Sequence, residues 1–139
     1  MADKLQLEIV TPQRAAYSGA VSEITLPGDF GEMGILPGHR ALMTLVPGGE
    51  ITAHGSEGVR HFAIDGGFAE ILPDKVTILV RTCEGADEVD VEHARENLKR
   101  LESEEISPET LSASDLRDRA AELARTRARV AIVERATRR

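Results

Sequence analysis

Residues with the types and spacing needed for phosphate binding or hydrolysis are few in this chain. Gly28, Gly31 and Gly34 have the spacing of a phosphate-binding loop, but no Gly-Lys-Ser/Thr follows them and no helix pattern opens there. Ser56 lies in the sequence Gly-Ser-Glu-Gly, which differs from the Gly-x-Ser-x-Gly turn that holds the nucleophile of many hydrolases. We therefore interpret the three glycines as parts of a tight, irregular turn, and we predict no catalytic residue.

Metal-ligating and redox residues are equally sparse. The four histidines share no paired spacing on one helix face and have no suitable cysteine or carboxylate cluster nearby; they are His39, His54, His61 and His93. Cys83 is the single cysteine, which excludes an internal disulfide and a multi-cysteine zinc site. It follows the apolar run 76–80, so we predict an inert, mostly buried thiol. The sequence predicts no metal site, no bound cofactor and no enzymatic activity.

Aromatic content and charge exclude further classes of function. The chain has no Trp, one Tyr and three Phe, too few rings for a sugar-binding groove or a single-strand stacking platform. Its net charge of −7 argues against nucleic-acid binding. Residues 111–139 nevertheless carry 8 basic and 4 acidic groups, whereas residues 1–88 carry 13 acidic and 6 basic groups. A basic tail on an acidic body indicates an acidic protein partner, or docking of the tail on the body itself.

Glycine and proline divide the chain into two halves. All twelve glycines lie in the first 85 residues, and Pro108 is the only proline after them. Because both residue types are costly inside helices, we predict a β domain over 1–86 and a helical domain over 87–139. The first residues run straight into a strand pattern, and no apolar run is long enough to cross a bilayer. We therefore expect an intracellular protein without a signal peptide.

The first half alternates apolar and polar residues with the two-residue period of half-buried strands. Leu5, Leu7 and Ile9 share one face of the first such segment. Further strand patterns cover residues 21–26, 42–46, 51–53, 59–64, 68–72 and 76–80. Turn signals separate them, among them Pro-Gly-Gly at 47–49 and Asp-Gly-Gly at 65–67. Short strands without intervening helices predict an antiparallel β-sandwich or flattened barrel.

The second half changes to the period of helices. One apolar stripe is formed by Val91, Ala94, Leu98 and Leu101. Asp90 is the predicted N-cap of this helix. Ser-Pro-Glu at 107–109 interrupts the pattern, because proline favours a helix start. A second helix is predicted over about 112–137, where Ser112 and Asp115 are spaced as a capping box.

The predicted second helix is rich in alanine. Its expected apolar face consists of Leu116, Ala120, Leu123, Ala124, Ala128, Val130, Ala131 and Val133. Alanine lets another helix approach closely but buries little area, so this antiparallel hairpin gains little stability from its own seam. We therefore expect it to depend on the β domain, or on a partner, for stable folding.

One segment remains after these assignments. Residues 31–39 read Gly-Glu-Met-Gly-Ile-Leu-Pro-Gly-His, which is either a plain hairpin connection or a protein-docking loop on a rigid scaffold. The segment resembles the Gly-Glu-x-Gly-Ile-x-Pro-Gly-His signature of the epsilon subunit of bacterial F-type ATP synthase. The resemblance covers nearly the whole chain. It continues through residues 5–12, 42–44, 65–70 and 76–79 and through the C-terminal hairpin.

The resemblance implies a sandwich of about ten strands followed by a helix–loop–helix. It also implies a non-catalytic subunit at the foot of the central rotor, against the gamma subunit and the c-ring, that helps to couple proton flow to ATP synthesis. Such a subunit is peripheral, on the cytoplasmic face of the bacterial inner membrane, and does not insert into it. The hairpin would switch between a compact form and an extended form that reaches the alpha and beta subunits and inhibits ATP hydrolysis.

The resemblance also assigns residues to these contacts. By motif position, the rotor interface would comprise Glu32, Met33, Ile35 and His39. The inhibitory helix would present the basic side chains Arg117, Arg125, Arg127 and Arg129, which suit an acidic loop on the catalytic subunits.

Nucleotide binding is the point at which the chain departs from the resemblance. Some family members bind ATP through Ile/Leu-Asp-x-x-Arg-Ala at the start of the first helix. Residues 89–94 here place Asp90 as in that motif, but His93 stands where the arginine would be. A mostly neutral imidazole does not supply the charge and forked donors of a guanidinium. We therefore favour Asp90 as a helix cap and expect weak ATP binding at most, with Arg125 and Arg129 as the remaining ligands.

A second function stays open at this stage. The chain would then be a free-standing nucleotide-sensing or adaptor module, without a place in a rotary complex. Co-purification with a gamma subunit separates the two hypotheses.

Overall fold

The alternating pattern of the first half produces strands whose inward side chains are buried. In the computed structural model, which describes residues 4–107 and 109–137, Leu5, Leu7 and Ile9 are completely buried while the residues between them are not. Pro108, the predicted helix breaker, lies outside the described residues. The strands are β1 (Leu5–Val10), β2 (Ala15–Leu26), β3 (Met33–Ile35), β4 (Leu42–Gly55), β5 (Gly58–Ile71), β6 (Lys75–Val80) and β7 (Cys83–Gly85).

The sheet closes on itself. Strands pair in the order β1-β6-β5-β4-β2, and β2 pairs again with β1, while β3 extends β2 and β7 pairs with β5. The predicted sandwich or flattened barrel is therefore confirmed. The pairing of β1 with β6 is parallel, in contrast to the expected all-antiparallel arrangement. Because these strands are far apart in the sequence, their direction is set by closure of the barrel and not by a local turn.

Two predicted turns are bends inside long strands. Residues 47–49 lie within β4 and residues 65–67 within β5, and the two segments pair with each other, Pro47 opposite Gly66. Gly66 has a φ of +112°, which disfavours residues with a Cβ. A Cβ on Gly67 would lie 1.9 Å from the carbonyl oxygen of Leu79. Both strands thus bend together without separating, and four predicted strands become two, giving seven strands within the described residues.

The sandwich has one apolar core. Its largest fully buried side chains include Phe62, Ile24, Leu26 and Ile51. Each such side chain contributes about 1.5–3 kcal/mol through its removal from water. The edge of the Tyr17 ring packs on Phe62 with 5.5 Å between ring centroids. Cys83 is buried in the same core, as predicted.

The first helix, α1 (Val91–Ser103), begins where the sequence indicates. The backbone N–H of His93 donates to Asp90 Oδ1 at 3.2 Å, so the predicted N-cap is confirmed. Ala94 and Leu101 are its buried residues. A short 3₁₀ turn, Ala86–Glu88, connects β7 to it and is held by Glu88, whose Oε1 accepts from the N–H of Gly85.

The second helix, α2 (Ala113–Thr137), packs against α1 and against β4 and β5, so the hairpin lies folded on the sandwich. The predicted capping box is confirmed, because the N–H of Asp115 donates to Ser112 Oγ and the N–H of Ser112 to Asp115 Oδ2. No helix in the described part of the chain is both long and apolar enough to span a bilayer.

The buried face of α2 differs from the predicted stripe. Its buried residues are Thr126, Ala128, Val130 and Ile132, whereas Leu116 and Leu123 are half-buried and Ala120 is exposed. Thr126 and Ile132 were missed because α2 contacts two surfaces at once. Thr126 Oγ1 accepts from Asn97 of α1, while Ile132 packs on Ala63 of the sandwich.

Candidate docking and regulatory surfaces

The loop of residues 31–39 is held firmly by the sandwich. Strand β3 pairs with β2, so that Met33 lies opposite Leu26 and Ile35 opposite Ile24. The N–H of Gly38 donates to the carbonyl of Pro73 at 2.7 Å, and the N–H of His39 donates to the carbonyl of Leu36. The segment is therefore a rigid surface loop, as a docking element requires.

The predicted rotor-interface residues fall on different sides of this loop. Glu32 is exposed, and His39 is half-buried with Nδ1 donating to the carbonyl of Arg40 at 2.7 Å. Met33 is half-buried and packs against the core. Ile35 is completely buried, so in this form of the chain its side chain is not exposed to a partner. Its alternation with Leu36, which is 56% exposed, makes Leu36 the outward apolar residue instead.

A second exposed surface lies on the face of the sheet. Leu45, Phe68 and Leu79 are 62%, 53% and 51% exposed, and they are direct neighbours across β4, β5 and β6. Val10 continues the row on β1 opposite Leu79, and Met43 extends it along β4 with 68% exposure. We call these five residues the apolar row. A cavity of about 500 Å³ adjoins it, lined in part by Pro12 and Arg81.

Sequence reasoning did not single out the apolar row, although a signal for it exists. In 68–71, Phe-Ala-Glu-Ile, burial of Ala69 and Ile71 places Phe68 on the outer face. A contiguous exposed apolar surface of this kind marks an interaction site more often than scattered exposed residues do.

The basic residues of α2 divide into engaged and available groups. Arg125 and Arg129 both contact Glu84 of β7, with N–O distances of 3.0 Å. Arg127 pairs with Glu102 of α1 at 3.5 Å, and both side chains are at least half exposed. Among the described residues, Arg117 is exposed and has no ion-pair partner. The four arginines predicted for the inhibitory helix therefore do not form one surface in this compact form.

Further ion pairs stabilise the hairpin. Arg119 contacts Glu104 and lowers the pKa of that carboxyl, with Arg100 contributing to the same effect. At the end of α2, Arg135 Nε lies 2.9 Å from Glu50 Oε1, which also lies 3.0 Å from His61 Nδ1. The contacts of α2 with the sandwich thus include the carboxylates of Glu84 and Glu50 as well as apolar side chains.

Three of the four residues considered for nucleotide binding have side chains engaged elsewhere. Asp90 caps α1, the His93 side chain is exposed, and both arginines contact Glu84. Across 4–107 and 109–137, no hydrogen bond or ion pair joins Asp90 or His93 to Arg125 or Arg129. The same part of the chain contains no group of three or more potential metal ligands.

Comparisons with known proteins give a consistent result. Residues 4–86 match the family described as ATP synthase, Delta/Epsilon chain, beta-sandwich domain. The chain is 45% identical over 115 residues to the ATP synthase epsilon chain of Geotalea uraniireducens, covering 81% of this chain and 83% of the relative. It is 42% identical over 140 residues to that of Geobacter sp. strain M21, covering all of both chains.

Solved structures with the same fold come from mitochondrial assemblies. A chain of the Euglena gracilis ATP synthase, solved as OSCP/F1/c-ring, aligns with a TM-score of 0.73 and 22% identity over 98% of this chain and 82% of that one. A chain of the Tetrahymena thermophila central stalk and c-ring aligns with a TM-score of 0.58 and 15% identity over 96% of both chains.

These comparisons confirm the resemblance and do not favour a free-standing module. The boundary between domains at 86 and 87 stays a prediction, as do the assigned site residues. The match of the β domain and the identity to full-length relatives establish that the chain belongs to the family of ATP synthase epsilon chains.

Proposed function

We propose that this chain is a non-catalytic central-stalk subunit that docks through its sandwich on the gamma subunit and c-ring of an ATP synthase. In that place it helps to couple proton translocation to ATP synthesis, and its hairpin restrains ATP hydrolysis. It lies peripherally, on the cytoplasmic face of the bacterial inner membrane. The observation that carries the docking part is the apolar row on a sandwich that already has a complete core.

The apolar row supports docking on gamma for an energetic reason. Leu45, Phe68 and Leu79 are about half exposed, so their burial against a partner contributes about 1 kcal/mol each. They project from paired strands, which fixes their spacing before a partner arrives. A flat, preorganised apolar surface suits a stable protein contact.

The loop at 31–39 supports a second contact, with the c-ring. Glu32 and Leu36 are exposed on backbone that is hydrogen-bonded to the rest of the sandwich. His39 stands at the end of the same loop. A charged and an apolar group on a rigid turn can contact polar loops of a ring without inserting into the membrane.

Replacement of the apolar row tests docking directly. We expect the double variant Phe68→Ser, Leu79→Ser to bind isolated gamma about 30-fold more weakly, because two apolar contacts are lost. Its thermal stability should fall much less than that of a core variant, since both side chains are already about half exposed. The matched control is Ile106→Ser, Leu111→Ser, which alters two exposed apolar residues of the hairpin connection. Wild-type affinity of the Phe68, Leu79 variant would exclude this surface as the docking site.

The inhibitory role of the hairpin is supported by its construction. The hairpin contacts the sandwich through a small apolar cluster around Ile132 and through ion pairs with Glu84 and Glu50. An acidic partner can take over the arginines of those ion pairs and so favour a second arrangement of the hairpin. Deletion of residues 111–139 should therefore raise ATP hydrolysis by the reconstituted complex and leave assembly intact. Unchanged hydrolysis would assign the hairpin a purely supporting role.

ATP binding to the isolated chain is proposed to be weak. His93 stands where the ATP-binding motif has an arginine, and Glu84 already contacts Arg125 and Arg129. Calorimetry should show no binding at micromolar ATP, and His93→Arg should tighten whatever binding remains. Micromolar affinity in the unaltered chain would contradict this proposal.

A further inference from the structure

Glu84 joins the two structural halves at a single carboxylate. Its Oε1 lies 3.0 Å from Arg125 Nη2 and 3.0 Å from Arg129 Nε, while Oε2 accepts from Arg129 Nη2 at 3.3 Å. The carboxylate side chain is 21% exposed, and that of Arg129 is 12% exposed. This is the least solvent-exposed of the arginine–carboxylate contacts between α2 and the sandwich.

The backbone on both sides of this contact is fixed. Glu84 lies on β7 opposite Ala63 of β5, between the buried residues Cys83 and Gly85. Arg125 and Arg129 are four residues apart on α2, so they project from the same helix face on successive turns. A carboxylate held by the sheet thus receives two guanidinium groups held by the helix.

We propose that Glu84 is a latch that holds the hairpin in its compact form and occupies the two arginines needed by an acidic partner. The second half of this statement depends on the inhibitory function proposed above. While the Glu84 carboxylate holds both guanidinium groups, the carboxylates of a partner cannot bind them. The compact form and the partner-bound form therefore compete for Arg125 and Arg129.

The other ion pairs of α2 within the described residues do not have this double role. Arg127 with Glu102 and Arg119 with Glu104 connect α2 to the hairpin itself, so they move with it. Arg135 with Glu50 does reach the sandwich, but its arginine is 54% exposed and lies near the end of α2. The apolar part of the contact consists mainly of Ala63, Ala128 and Ile132. Release of Glu84 should therefore loosen the hairpin selectively.

Hydrogen exchange of the full-length chain tests the latch without any partner. In Glu84→Gln the shape is kept and the charge is lost, and amides of residues 123–133 should exchange about fivefold faster. Strand β5 should exchange as in the wild type. The matched control is Glu102→Gln, which removes a hairpin-internal carboxylate and should leave the protection of β5 and of 123–133 within twofold.

A variant in α2 tests the same contact without altering a residue of the sheet. Arg125→Gln, Arg129→Gln changes only α2 and should accelerate exchange of 123–133 to a similar degree. Glu84→Gln added to it should have no further effect, because the contact is already absent. Unchanged exchange in both variants, or additive effects in their combination, would overturn the latch.

Inhibition of the reconstituted complex separates the latch from the proposed function. Both variants release the hairpin, but only Glu84→Gln leaves the two arginines available. Competition therefore predicts several-fold stronger inhibition of ATP hydrolysis by Glu84→Gln and weaker inhibition by Arg125→Gln, Arg129→Gln. Equal changes in both variants would refute the competition for Arg125 and Arg129. Absence of inhibition by any form, with the exchange results intact, would remove the proposed function and keep the latch.

Discussion

The two halves of this molecule are stabilised by different interactions. The sandwich surrounds one core of Leu, Ile, Val and Phe side chains, many of them completely buried. The hairpin buries four residues of α2, and one of these is an alanine and one a threonine. It is joined to the sandwich by a small apolar cluster that includes Ile132 and by ion pairs, such as those of Glu84. Apolar burial gives a permanent structure, whereas exchangeable charge pairs give one that a partner can release.

The largest loss of stability is expected from a substitution in the core of the sandwich. Phe62→Ala removes a ring that is 1% exposed and packs against Tyr17, so it should lower the free energy of unfolding by about 3–5 kcal/mol. Chemical denaturation followed by circular dichroism of the sheet measures this loss. The whole chain should lose stability, because the hairpin depends on the sandwich.

An equivalent truncation in the hairpin provides the contrast. Ile132 is completely buried but packs on Ala63 and Ala128, at the boundary between the halves. In Ile132→Ala, amides of α2 should exchange faster while β5 keeps its protection. Cooperative unfolding of both halves by this change would show that they form a single unit.

A pH-dependent loss of stability is expected in the sandwich, because the Cys83 thiol lies in its core. Burial raises the pKa of the Cys83 thiol to about 12 from the ordinary value of 9.0. The folded chain therefore keeps the proton that the unfolded chain releases near pH 9. The associated stability is fully present below pH 9 and falls by up to about 1.4 kcal/mol per pH unit between 9 and 12.

The variant Cys83→Ala isolates this contribution from that of other groups that titrate in the same range. The difference in unfolding free energy between wild type and variant should be constant below pH 9 and change only above it. Native Cys83 should also react slowly with iodoacetamide at pH 8, because little thiolate forms and the sulfur is buried. A pH-independent difference would show that the thiol is readily ionised in the fold.

Local sequence signals predicted most of the secondary structure. Alternation identified the inward face of β1, and the caps at Asp90 and Ser112 fixed the helix starts within a residue, because each depends on neighbours only three positions away. The bend at 47–49 and 65–67 could not be found in this way. Each segment would be a turn if it connected two separate strands, but the two segments pair with each other and form a bend in a continuous ribbon. This pairing is decided by contacts between residues distant in sequence.

The candidate surfaces were harder to predict from the sequence for the same reason. The apolar row arises from register across four strands, and no single strand reveals it. The engagement of Arg125 and Arg129 by Glu84 joins residues more than 40 positions apart. Motif position assigned the loop at 31–39 to docking, which stays a prediction, and it did not distinguish the buried Ile35 from the exposed Leu36.

The smallest expected effect on stability concerns Arg127, whose charge is exposed and does not join the hairpin to the sandwich. Arg127 is 59% exposed, and its partner Glu102 is on α1, so Arg127→Gln should change the free energy of unfolding by less than about 1 kcal/mol. Exchange of α2 amides should likewise stay close to that of the wild type. If α2 acts through an acidic partner, the same substitution should still weaken inhibition of ATP hydrolysis, and more so at low salt. Faster exchange in Arg127→Gln than in Arg125→Gln, Arg129→Gln would reverse the distinction between arginines that present charge and arginines that hold the two halves together.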